Sequence, residues 1–205
     1  MRSTFAGIIS ASIIALVSVT AEANPTLFSV EPQMYVVDLA GVDPSLVREV
    51  EVLVLHDIAD PFGVYSFALV NEGWAQGQFG ATMWLTTGLQ LGIGAAIEQD
   101  PTPYRGAAFL AVTPDLLANV SALVVGEYGG SGAFFTVNGG YHVAEWLRIG
   151  VMAERYEGLG PRLDFFITGT PVKVWTTVGH DFEANTWNGV ISVGFDCVNT
   201  GFCSE

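Results

Sequence analysis

From about residue 46 onward the polarity of the chain alternates with a period of two. In Gly88–Glu98, Leu89, Leu91, Ile93, Ala95 and Ile97 fall on one parity, and Gln90, Gly92, Gly94, Ala96 and Glu98 on the other. A strand sends successive side chains to opposite faces, so this run has one apolar and one polar face; a helix would smear the two sets together. Leu147–Glu154 separates Leu147, Ile149, Val151 and Ala153 from Arg148, Gly150, Met152 and Glu154 in the same way. Gln78–Thr86 and Val172–Asp181 repeat the split. Tyr104–Thr113 and Val120–Tyr128 are less clean, with Leu123 and Val125 on an otherwise polar face. The rhythm predicts about twelve strands, with ten the alternative count, near 33–39, 47–56, 64–72, 77–86, 88–98, 104–113, 118–128, 133–143, 145–156, 162–169, 172–183 and 186–196.

The links between these runs are short and rich in turn formers: Gln99–Pro103, Pro114–Leu117, Gly129–Gly132, Gly158–Pro161, Gly169–Pro171 and Glu183–Asn185. They suit hairpins between antiparallel neighbours and leave no room for the crossover helices of a parallel sheet. A meander of this length has two unpaired edges to protect, and closure into a barrel removes both. The expected fold is all-β, an antiparallel up-and-down barrel.

Composition decides what surrounds that barrel. Hydrophobic residues make up 50% of the chain and charged residues only 14%, against about 25% charged in soluble domains. One strand face is Leu, Ile, Val, Phe and Ala, while the other mixes Gly, Thr, Ser and Gln with isolated charges. A soluble barrel buries the apolar face and shows charge outside, and this sequence has too little charge for that. Membrane lipid is therefore the expected partner, and roughly 10-residue runs match the length a tilted strand needs to cross a bilayer. The net charge of −14, with seven Lys and Arg in all, excludes a nucleic-acid partner and a polybasic membrane contact.

The amino terminus carries one cation (Arg2), an apolar run from Phe5 to Val17 and the sequence Ala21-Glu22-Ala23. That is the pattern of a cleaved secretory signal over residues 1–23, leaving a barrel domain over 24–196 and a short tail over 197–205. In an oxidising compartment the two cysteines, Cys197 and Cys203, are positioned to close a small disulfide loop.

Trp74, Trp84, Tyr104, Tyr128, Tyr141, Trp146, Tyr156 and Trp187 fall near predicted strand ends, where membrane barrels carry aromatic girdles. The stretch Trp187–Phe195 is similar to the aromatic-ended final strand that barrel-assembly machinery reads. In these features the chain resembles the bacterial outer-membrane β-barrels as a class. The resemblance implies a bacterial outer-membrane location and a barrel that passes small solutes or strengthens the membrane.

Candidate chemistry lies on the polar parity. Glu127, Arg148, Glu154, Asp164, Lys173, Asp181 and Asp196 are the expected lumen-facing ionisable residues, either a charge-selective constriction or an ion-pair network that braces the wall. Acids outnumber bases among them, so an open lumen should disfavour anions. His56, His142 and His180 with the two cysteines match no metal spacing, the Asp57 and Asp60 pair lacks the ligand pattern of a calcium loop, and the glycines follow no nucleotide-binding spacing. No metal or cofactor is expected. No G-x-S-x-G elbow accompanies a serine, though His142 shares the lumen parity with Asn138. The predicted function is thus a narrow channel or structural membrane component. The alternatives are a lipid-modifying barrel enzyme, which a cluster of His142, a serine and a carboxylate would favour, and a soluble periplasmic barrel holding an apolar ligand.

Overall fold

A computed structural model of the chain describes residues 26–41 and 44–198. Residues 1–23, read above as a secretory signal, and Cys203, with the disulfide expected of it, lie outside the described residues. Twelve strands run in chain order: β1 (Thr26–Val37), β2 (Ser45–Ala59), β3 (Phe62–Asn71), β4 (Ala75–Thr86), β5 (Leu89–Glu98), β6 (Tyr104–Val112), β7 (Val120–Gly129), β8 (Gly132–Ala144), β9 (Leu147–Glu154), β10 (Gly158–Phe166), β11 (Val172–Asp181) and β12 (Thr186–Val198). Each pairs antiparallel with its neighbours in sequence, and β1 pairs with β12 to close the barrel. With an even strand count, the start of β1 and the end of β12 share one end of the barrel, called here the terminal end. The opposite rim is the far end.

Parity assigns every strand an inside and an outside. Outward positions carry Phe79, Ile93, Ile97, Ile149, Val151, Leu163, Ile191 and Phe195, all exposed. Their polar neighbours Gln78, Gln90, Glu98, Arg105, Glu127 and Asp164 are buried. Among the described cations, Arg48 is the one on the outer face, at the rim beside Glu72 at 3.5 Å. This reverses the arrangement of a water-soluble barrel, and the exposed apolar surface far exceeds the patch size usual for soluble monomers.

Two strands start well before the sequence reading places them. β1 begins at Thr26 and includes Pro32, and β10 includes the Gly158–Pro161 stretch that composition marks as a turn. The turn before β10 is instead Arg155-Tyr156-Glu157. A proline lacks the N–H a ladder needs, and both prolines sit where one ladder is interrupted. The β1–β12 pairing skips from Val30↔Phe195 to Gln33↔Ser192, and the β10–β11 pairing from Leu159↔His180 to Arg162↔Thr177. At each gap a hydroxyl of the adjoining strand compensates. Ser192 Oγ donates to the Pro32 carbonyl at 3.1 Å, and Thr177 Oγ1 to the Pro161 carbonyl at 2.8 Å. The end of β12 also differs: it runs through Cys197 to Val198, into the stretch read as tail.

Glycine allows one close approach inside. Tyr65 lies over Gly80 and Gly94, where a Cβ on Gly94 would stand 2.5 Å from the Tyr65 hydroxyl. Phe109 meets the same ring edge-on at 5.1 Å between centroids. The aromatic rims are only partly as expected. Tyr104, Tyr128, Tyr156 and Trp187 face outward near the far end, and Tyr141 and Trp146 near the terminal end. Trp74 and Trp84 turn inward instead: Trp74 lines the lumen, and Trp84 Nε1 donates to Asp57 at 3.2 Å.

Candidate functional site

The inward parity of all twelve strands encloses a cavity of about 740 Å3. Its wall is built from three ion-pair networks, each holding charges that would be expensive to bury alone.

At the far end, Arg105 of β6 reaches Glu98 of β5 at 2.8 Å and Glu127 of β7 at 3.0 Å. Glu98 is completely buried. Its remaining capacity is taken by Ser131, whose backbone N–H donates at 2.6 Å and whose hydroxyl donates at 2.9 Å. Gln76 and Gln78 of β4 donate to Glu127, so the network knits four consecutive strands and one turn.

Midway and toward the terminal end, Asp164 of β10 accepts from Arg162 at 2.8 Å and from Arg148 of β9 at 2.9 Å. Arg148 continues to Ser121 of β7 at 2.7 Å and Asn138 of β8 at 3.1 Å. The Arg162 guanidinium stacks on the Trp175 ring, 3.7 Å from its centroid. The Trp175 indole N–H donates in turn to Glu31 at 2.9 Å.

At the terminal end, Lys173 of β11 lies between Glu31 of β1 and Asp196 of β12, the latter at 2.9 Å. Ser29 donates to Asp196 at 2.6 Å. This network crosses the closure of the barrel.

Four carboxylates toward the far end stand outside these networks. Glu49 and Glu51 of β2, Glu154 of β9 and Glu157 of the following turn have no ion-pair partner among the described residues. Tyr35 of β1 reaches this group, its hydroxyl 2.7 Å from Glu49 Oε1 and from Gln33 Oε1. Tyr156 holds a left-handed backbone, φ 78°, in the turn that places Glu157 against the cavity. Burial, joined by the charges of Glu49 and Glu51, pushes the Glu157 carboxyl above the ordinary carboxylate range.

Of the seven residues expected in the lumen, Glu127, Arg148, Glu154, Lys173 and Asp196 line the cavity. Asp164 is held behind its two arginines, only 1% exposed. Asp181 does other work: its Oδ1 accepts the backbone N–H of Glu183 at 2.8 Å and of Ala184 at 3.2 Å, capping the turn after β11. All seven of these residues belong to the second half of the chain. Closure of β1 onto β12 brings Glu31, Glu49 and Glu51 into the same lumen, and Glu98, Arg105 and Arg162 complete its networks.

The parity of His142 also places it inward. Its Nε2 lies 3.4 Å from Ser121 Oγ, but no carboxylate hydrogen-bonds the ring among the described residues, and Phe166 covers it at 5.5 Å. Arg148 donates to the same serine. A nucleophile–base–orienter set requires a third group on the base, and the pair faces the lumen and not lipid. Among the described residues, no three His, Cys, Asp or Glu side chains are grouped to hold a metal ion.

No family model matches the chain, and no curated protein matches it. Solved structures do. The KdgM porin is 14% identical with a TM-score of 0.56, over 82% of this chain and 98% of that one. An outer membrane channel from Pseudomonas putida F1 is 10% identical with a TM-score of 0.53, over 86% of this chain and 96% of that one. The outer membrane protein Omp33 of Acinetobacter baumannii is 14% identical with a TM-score of 0.51, over 84% of this chain and 99% of that one. The likeness takes in nearly the whole of each barrel, and the fold of this chain is that of the bacterial outer-membrane β-barrels.

Proposed function

We propose that the protein is a narrow outer-membrane channel for small solutes, with a lumen that disfavours anions. The observation that carries this reading is the double asymmetry of the wall: apolar outside, lined with charged and polar side chains inside, around a cavity of about 740 Å3. A purely structural barrel has no need of that cavity. A soluble ligand-binding barrel has no use for an apolar exterior. The aromatic rims and the apolar exterior support a membrane location, with lipid as the outer partner.

The ion pairs brace the wall and at the same time narrow the passage, since Arg105, Arg162 and Tyr35 project from different strands into one lumen. The KdgM porin has been solved with oligogalacturonate, a polyanion. Here carboxylates outnumber cations along the lumen and four lack a cation, so a polyanion meets repulsion.

Planar-bilayer recording of the purified barrel tests the reading. Small, discrete conductance steps are expected, and they should grow when Tyr35→Ala removes the ring that crosses toward Met152 and Trp175. A barrel that inserts but never conducts would show that the lumen is closed and the role structural.

A further inference from the structure

The cations of this lumen are matched to acids, and four of its acids have no cation. Arg105 and Lys173 each sit between two carboxylates, Arg148 and Arg162 share Asp164, and Arg155, which lines the cavity beside Glu154 and Glu157, pairs with Glu183 of the turn after β11 at 3.5 Å. Glu49, Glu51, Glu154 and Glu157 remain. They lie within electrostatic reach of one another and all line the cavity. One carboxylate oxygen of the group is also left without a hydrogen bond. Glu157 is 9% exposed, and its Oε2 is buried with no partner. An ionised carboxylate in that position is unstable until a proton or a cation completes it.

The shape of the site says which kind of cation. A divalent metal needs about six to eight oxygens converging on one point, and no such grouping exists among the described residues. The four carboxylates instead come from two separate parts of the wall, β2 and the end of β9 with its following turn, around a cavity that Tyr35, Val47 and Trp74 also line. That combination suits an elongated organic cation, with alkyl chain against the apolar groups and charge against the acids. The chain supplies its own example of the polar half. Lys173 is its single lysine, and its primary ammonium is held between Glu31 and Asp196, with one positive charge for two carboxylates. At that ratio four carboxylates accommodate two ammonium groups.

We propose that Glu49, Glu51, Glu154 and Glu157 form a subsite for the two ammonium groups of a small linear diamine in transit. This rests on the channel reading above and names a solute class for it.

Calorimetric titration of the folded, detergent-solubilised barrel with 1,4-diaminobutane tests the subsite without requiring ion flow. The parent should bind the diamine at least about tenfold more tightly than 1-aminobutane or calcium chloride. The isosteric pairs E49Q/E51Q and E154Q/E157Q should each weaken diamine binding about tenfold or more, since a charge-assisted contact is lost with each carboxylate. Equal affinity for the three probes, or unchanged diamine affinity in both double variants, overturns the proposal. Should either pair fail to fold, the comparison of probes on the parent decides alone. Diamine binding by a barrel that never conducts sinks the channel reading and leaves the subsite standing. Conduction without discrimination among the probes does the opposite.

Discussion

At the scale of single residues, the lumen's cations survive burial because each is held by carboxylates. Arg105 is the clearest case, with both of its carboxylate partners out of water and further donors on each. Removing its charge as Arg105→Met strands Glu98 and Glu127. The expected cost is about 3–5 kcal/mol, read as a lower urea midpoint for the barrel refolded in lipid. A loss well under 1 kcal/mol would show the pair to be ornamental. Little of this network is legible in the sequence. Glu98 and Arg105 flank a predicted turn, where a charge ordinarily means solvent. Glu49 and Glu51 share their parity with Val47, Leu53 and Leu55, so polarity alone does not say which face of that strand turns inward. By contrast, Arg148, Glu154 and Lys173 stand on clean alternations, where parity alone separates a polar from an apolar face, while Glu127 shares its parity with Leu123 and Val125.

At the scale of strands, alternation finds the elements and turn residues only partly bound them. Most hairpins fall where Gly, Pro and Asn accumulate. Gly158–Pro161 does not, because a proline is admitted inside a strand when a neighbouring hydroxyl satisfies its carbonyl and the ladder tolerates a gap. Those compensating partners, Thr177 for Pro161 and Ser192 for Pro32, lie 16 and 160 residues away in sequence, out of range of local pattern. Thr177→Val keeps the shape of the side chain and removes the donor. It should destabilise the barrel by about 1 kcal/mol and speed amide exchange at the β10–β11 seam relative to the β9–β10 seam. Unchanged exchange at that seam would show that the hydroxyl plays no part in holding it.

At the scale of the whole molecule, the low charged fraction and the two-faced strands imply a barrel with its apolar face outward, the face proposed above to meet lipid. Composition made that legible without any motif; the closure of β1 on β12, which completes the lumen, required the fold. A substitution on the outer face separates lipid from water. Ile93 is 61% exposed, so in water Ile93→Arg would change stability by no more than about 0.5 kcal/mol. Facing the middle of a bilayer, it should cost about 2–4 kcal/mol, measured by unfolding from vesicles.

The most direct test of the central claim is the zero-current potential of the reconstituted barrel under a potassium chloride gradient. Carboxylates in excess of cations predict a potential of the sign set by potassium crossing more readily than chloride, collapsing toward zero when Glu49, Glu51, Glu154 and Glu157 are all changed to Gln. A potential of the opposite sign, with chloride the preferred ion, would contradict the account.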